Sequence, residues 1–357
     1  MTFSIAVNRD ELDCLRTDVE TLEVCSELTA SGSRNKARVA ILILDHFADI
    51  LLFRESKKIL EGDRFRRWVL KPEFTPSEGE KTLYNFSKKL NLVAGKAQGV
   101  AKVDQAVLLI AHSYRNAIYH RDIHNERTTL VLAKLMLRTI FRLFMNLGSS
   151  MGRGGFNSKE QLQWLKPYIE TDGYIDFCQV RRNLVRAIAP VAQLSFRSTR
   201  AILVEDITLR GENLKIALPE EFGDKWESWL DGLLKHVQFE HDNQERLDAL
   251  SKVFRETTYK VHTDQPQTKE EYVKAESDYK ARRTKEFDAF HPTFTSKSIL
   301  SLHQLTDSES QASNLETLIF AYKAADDLMQ KAESYFSMAR SEFDWAVESA
   351  INAGREK

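Results

Sequence analysis

The chain has 357 residues, 42 % of them hydrophobic, and its 51 Lys and Arg against 52 Asp and Glu leave a formal net charge of −1. That length allows two or three domains with a core that needs no covalent staples, and the charge balance excludes a global field that would draw the protein to nucleic acid or anionic lipid. A polyanion site must therefore be local.

The opening stretch, MTFSIAVNRDELDCL, carries neither the basic leader nor the apolar run of a signal peptide, which predicts a cytoplasmic chain. Cys14, Cys25 and Cys178 are an odd set with no close C-x-x-C pair. They read as small apolar residues in a reducing compartment, not as a zinc ribbon or a disulfide framework. Seven prolines and fourteen glycines are few for this length, and apolar residues recur with a 3.6-residue period, so a mostly α fold is expected. Helices are predicted at about 10–28, 34–60, 80–94, 103–121 and 126–147, with short connections such as SGSRN and PEFTPSE, and together they predict an up-and-down helical bundle over 1–147. The segment 34–60 is apolar nearly all round, as a central helix would be. Its most apolar part, VAILILDHFADILLF at 39–53, is too short to cross a bilayer and is interrupted by Asp45, His46 and Asp49, so no membrane span is expected. Those three polar residues are expected to be buried and in need of partners.

GSSMGRGGFNS, residues 148–158, is the densest Gly and Ser stretch and is expected to be a linker. The region 159–219 predicts helices at about 158–168 and 173–196, the second interrupted at Pro190. A β-hairpin should follow, because Ile207 and Leu209, then Leu214 and Ile216, alternate on either side of Gly211-Glu212-Asn213. Two helices and a hairpin would make a small, winged-helix-like α+β unit. Arg181, Arg182, Arg186, Arg197, Arg200 and Arg210 give this region a basic bias suited to a nucleic-acid backbone, although a solvated face is the better explanation because no recognition-helix motif is legible. The last region, 220–357, is expected to form long charged helices with breaks near HTDQPQT and AFHPTFTSKS. Leu318, Tyr322, Ala325, Met329, Ala332, Phe336, Ala339, Phe343, Ala346 and Ala350 follow one another at steps of three and four. That is a heptad seam, for packing within the chain or against a second copy.

One stretch carries possible chemistry. HSYRNAIYHRDIHN, residues 112–125, closes an apolar helix, and on an ideal helix His112, Asn116, His120 and His124, four apart, would form a polar ladder at steps of about 40°. Arg115 stands five before His120, about 140° around the axis, so its side chain must wrap or the two groups must meet across an interface. His120 and His124 have a spacing that two metal ligands could use, but HRDIH lacks the glutamate of H-E-x-x-H and no third ligand is apparent, so no metal is expected.

The string RNAIYH has the form R-N-x-x-x-H and resembles the R-x4-6-H motif of the HEPN superfamily of helical-bundle proteins. The likeness covers about 10–147, with the motif near the end of the fourth predicted helix and a long apolar helix after it. The resemblance implies a metal-independent endoribonuclease, with Arg115, Asn116 and His120 in the motif positions and two motifs facing each other across a dimer. One toxin branch of the superfamily has a tyrosine two positions after the histidine, where its antitoxin attaches a nucleotide. Asp122 stands there in this chain, which argues against control by that route.

The residues suit such chemistry independently. Metal-free RNA cleavage needs a proton-exchanging group near neutral pH, a role for His120, and fixed donors for charge building on the phosphorane, a role for Arg115. A helix C-terminus favours a cation, which suits His120 as the acid. Asn116 could orient the imidazole or bind a phosphate oxygen. Asp45 or Asp49 is expected to orient Arg115 or His120 from the facing helix, with His112 and His124 in support. Arg121, Arg181, Arg182 and Arg186 are candidate nucleic-acid contacts. The expected activity is thus RNA cleavage in antiphage defence or toxin-like growth arrest, by a homodimer without cofactor, with a regulatory or sensor partner. A non-catalytic HEPN-like module binding RNA or protein, and a DNA-binding regulator using the hairpin region, are the alternatives.

Overall fold

The computed structural model describes residues 9–66, 71, 73–96, 100–121, 126–147, 153–155, 160–169, 174–222, 226–259, 269–292 and 313–355. By internal contacts the chain divides into a first unit, Met1–Asp206 with Glu309–Lys323, and a second, Ile207–Ser308 with Ala324–Lys357. The chain is mostly α.

In the first unit α1 (Arg9–Ala30) and α2 (Arg34–Arg66) are joined at SGS, where Gly32 takes φ 69° and its N–H bonds the Thr29 carbonyl. A left-handed residue just past a helix end closes the last turn, and glycine takes that conformation without steric cost. Ala37, Ala40, Ile41, Leu44, Phe47, Ala48, Leu51 and Leu52 are all buried, so α2 is covered on several sides, by α1 and by α4, α5 and α6, which are Phe86–Lys96, Lys102–Arg121 and Glu126–Leu147. Between α2 and α4 lies α3 (Pro76–Leu83), opened by a capping box in which Thr75 and Glu78 satisfy each other's free N–H groups. The single helix expected at 80–94 is thus two. The break falls at Tyr84-Asn85, where the Asn85 side chain accepts from Lys88 N at 2.9 Å and starts a new helix.

Beyond the bundle, Arg153–Gly155 (β1) and Tyr174–Asp176 (β2) pair antiparallel, with Arg153 opposite Asp176. The rest of the expected 148–158 linker lies outside the described residues. A 3₁₀ segment at Glu160–Tyr168 and α7 (Phe177–Ile188) follow, α7 capped by Asp176, whose carboxylate accepts from Cys178 N at 2.8 Å. Pro190 is the second residue of the short 3₁₀ turn Ala189–Ala192, and this turn and α7 pack on α1 and α6. The middle region up to Asp206 therefore shares one compact unit with the bundle, and its remainder from Ile207 belongs to the second.

The expected hairpin does not form: Ile207, Leu209, Leu214 and Ile216 all lie within one helix, α8 (Phe196–Phe222). The apparent alternation has a physical origin. The buried face of α8 holds Leu203, Asp206, Ile207 and Arg210, at helical steps, whereas Leu209 is 45 % exposed. Two of the four are polar, which hides the 3.6-residue period. They are tolerated because each is met: Tyr322 donates to Asp206 at 2.9 Å in the first unit, and in the second Arg210 bonds Asp326 at 2.7 Å and Glu333 at 2.9 Å. Without the hairpin the winged-helix-like unit is absent, and with it the feature that suggested a DNA-binding regulator.

In the second unit α10 (Gln244–Tyr259) packs on α9 (Trp226–Asp242) and α11 (Lys269–Ala289), with Phe239 edge-on to Phe287 and Phe290. The last helix, α12 (Leu315–Arg355), starts at Asn314, whose side chain accepts from Thr317 N at 2.9 Å. Its heptad seam is buried within the chain at Leu318, Tyr322, Ala325, Met329 and Ala332, and Phe336 is half-buried. The side chains of Ala339, Phe343, Ala346 and Ala350 lie outside the described set. Among the described residues no helix is long and apolar enough to cross a membrane.

The helix at 196–222 makes a direct prediction. Glu212→Pro should lower stability by about 3 kcal/mol, because proline inside a helix removes one hydrogen bond and clashes with the preceding turn. Asn213→Ala, at an exposed position, should raise it by about 0.5 kcal/mol from helix propensity alone. Urea unfolding measures both, and a gain with proline or a loss with alanine would restore the turn.

Candidate active site

One face of α5 is apolar, with Ala106, Val107, Leu108, Ala111 and Tyr114 buried, and α5 packs on α2 and α6. Burial pushes the Tyr114 phenol above its ordinary range, and its hydroxyl is paired with Thr129 on α6. This pins α5 to α6 just before Arg115.

On the α2 side the central fact is Asp45, whose side chain is completely buried. A carboxylate in an apolar helix is strongly penalised unless donors surround it. Two side chains of α5 meet it. Arg115 Nη1 donates to one oxygen at 2.7 Å, and His112 Nδ1 lies 3.1 and 3.2 Å from the two oxygens. The His112 ring also stacks flat on Phe86, the first residue of α4, with ring centroids 4.1 Å apart and planes 5° from parallel. Three helices thus fix one imidazole. Arg115 turns its other edge to Asn116, with Nε and Nη2 at 3.4 and 3.3 Å from Oδ1. The Arg115 side chain stays 32 % exposed and that of His112 26 %, so both reach the surface from a buried anchor.

The sequence-predicted residues are therefore brought together in part. Asp45, His112, Arg115 and Asn116 converge. Asp49, one turn along α2, instead contacts the buried Lys89 ammonium at 2.5 Å, which lies 5.9 Å from the Phe53 ring. His46 is exposed, contrary to the expected burial, because it falls on the outer face of α2. The backbone of His120 and Arg121 belongs to α5, but the side chains of 117–121 lie outside the described set, as do all of Asp122 and His124.

The basic residues of the middle region do not form one open face. Arg181 is 5 % exposed with its guanidinium 5.2 Å from the Phe144 ring, and burial lowers its pKa. Arg210 is buried in its ion pairs with Asp326 and Glu333. Neither can meet a phosphate from outside. Arg182, Arg186 and Arg197 remain exposed, and Arg200 is half-buried 6.0 Å from the Phe196 ring. Among the described residues no three His, Cys, Asp or Glu side chains are grouped to hold a metal ion.

Phe86 and Lys89 are the residues that sequence reasoning missed. Phe86 opens a helix among apolar residues and looks like ordinary core. Lys89 lies on the covered face of an amphipathic helix, a position where a charged group signals an unseen anion.

If Asp45 organises this site, Asp45→Ala should lower stability by about 2–4 kcal/mol, since it strips a half-buried guanidinium and imidazole of their shared acceptor. Asn116→Ala, on the exposed surface, should leave stability within about 0.5 kcal/mol of the parent. A harmless Asp45→Ala in chemical unfolding would show that the carboxylate anchors nothing.

No family model, curated protein or solved structure matches the chain.

Proposed function

We propose that the protein is a metal-independent endoribonuclease, a HEPN-like homodimer that cleaves RNA in antiphage defence or toxin-like growth arrest. The observation that carries this reading is the anchoring of Arg115, from the string RNAIYH, by the fully buried Asp45. A guanidinium held on one edge offers its remaining N–H groups in fixed directions, which is what a phosphorane with charge building on its oxygens requires. Asn116 fixes the second edge. His120, one turn beyond, gives a proton to the departing 5′-oxygen. The 2′-hydroxyl gives its proton to a second basic group of the site, its oxygen bonds to phosphorus, the P–O5′ bond breaks, and the products are a 2′,3′-cyclic phosphate and a 5′-hydroxyl. An isologous dimer brings two such strings together and supplies a second set of groups. No cofactor takes part, and the chain beyond the bundle recognises substrate, a trigger or a regulatory partner.

The same ion pair favours a second reading. A carboxylate on Arg115 offsets part of its charge, as suits a non-catalytic HEPN-like module that binds RNA or a protein.

Cleavage assays with purified protein in EDTA separate the two readings. Wild type should release cyclic-phosphate and 5′-hydroxyl ends, and Arg115→Ala and His120→Ala should each slow cleavage by at least about 10²-fold with the fold and dimer intact. Both side chains serve one transition state, so the double variant should be little worse than either single one. Full activity in either single variant, or activity that returns only with a divalent ion, sinks the assignment.

A further inference from the structure

The reaction proposed above needs a group to take the 2′-hydroxyl proton as well as one to protonate the leaving oxygen. The RNAIYH string of a single bundle offers only His120, which leaves the other group to a second protomer. The geometry around Asp45 offers another.

His112 and Arg115 share one carboxylate, at 3.1 and 3.2 Å and at 2.7 Å. They are three residues apart on α5, about 4.5 Å along its axis, so imidazole and guanidinium leave the anchor side by side. A carboxylate only accepts hydrogen bonds, so the proton of neutral His112 lies on Nδ1 and the lone pair on Nε2. Among the described residues Nε2 has no hydrogen-bond partner, and the side chain is 26 % exposed. The parallel stack on Phe86, itself 7 % exposed, holds the plane of the ring and so keeps Nδ1 turned toward Asp45 and Nε2 away from it. A buried acid that sets the tautomer, a wall that sets the plane and a second ring nitrogen beside a fixed cation make up the geometry of a general base.

We infer that His112 is the general base of this site, supplied by the same protomer as Arg115; the inference rests on the endoribonuclease reading. Nε2 takes the proton from the 2′-hydroxyl of a ribose whose phosphate lies on the outer N–H groups of Arg115. The O2′–P bond forms as P–O5′ breaks, the 5′-oxygen leaves with a proton from His120, and the imidazolium returns its proton to water. Asp45 and Phe86 are positioning residues, acting through His112.

The test compares wild type with His112→Ala, His112→Gln, His120→Ala and Phe86→Leu on an RNA oligonucleotide and on the same oligonucleotide with sulfur as the 5′-bridging atom. A thiolate leaves without help from an acid, so the sulfur substrate bypasses the acid but not the base. The His112 variants should be slower by about 10²–10⁴-fold in kcat on both substrates, with KM little changed. His120→Ala should be slow on the oxygen substrate and recover on the sulfur one. Phe86→Leu should reduce kcat by a smaller factor with KM unchanged. The amide of His112→Gln can still donate to Asp45, which keeps a folded variant in the comparison if alanine destabilises the bundle. A folded His112→Gln protein within about threefold of the wild-type rate overturns the inference, and so does recovery of the His112 variants on the sulfur substrate. Either result leaves the endoribonuclease reading standing, whereas wild-type protein that cleaves neither substrate removes both.

Discussion

Burying a carboxylate within the apolar stretch of the central helix α2 constrains everything around it. Asp45 has no access to water, and an unpaired charge there would cost several kcal/mol even after relaxation. The penalty is avoided only if α5 presents donors at the same level, which sets the register of α5 against α2. Arg115 and His112 meet that requirement, and each carries a polar end back to the surface. The stack of Phe86 on His112 then adds α4 to the arrangement. Fold and site are thus one device, because the groups that relieve the buried charge are those that face solvent.

Other buried charges show the same logic without the same opportunity. Arg54 reaches both oxygens of Asp18 at 2.9 Å, and Arg142 donates to Asp104 at 2.8 Å, each pairing joining two helices of the bundle. Arg210, with Asp326 and Glu333, does the same in the second unit. These are arginine–carboxylate pairs that fix helix register. Asp45 differs in holding an imidazole as well as a guanidinium, the combination on which the proposed reaction draws.

Much of the helical framework was legible because apolar side chains at 3.6-residue spacing are a direct record of burial. The all-round apolar character of 34–60 marked α2 as central for that reason. Polar residues in the core broke the record where it failed. Asp206 and Arg210 interrupt the buried face of α8, and the remaining Ile207, Leu209, Leu214 and Ile216 mimic strand alternation. At 84–85 a cap divides a helix whose apolar pattern runs on, because a hydrogen bond from Lys88 N to Asn85 leaves no trace in hydropathy. The polar ladder on α5 and the acids on α2 drew attention to the site. Which acid faced which cation was not legible, since a shift of one turn would exchange Asp45 for Asp49. Arginine is usually exposed, so the burial of Arg181 and Arg210 had no signal either. The heptad seam showed its period but not its partner, which for Leu318 to Ala332 is the chain itself.

The ion pair requires that the Asp45 carboxylate and the Arg115 guanidinium be energetically coupled across α2 and α5. A double-mutant cycle with Asp45→Ala, Arg115→Ala and the pair, read by urea unfolding, measures that coupling directly. An interaction of about 1–3 kcal/mol between the two positions is expected, because either side chain alone is left without compensation. Substitutions that add within about 0.3 kcal/mol would contradict it.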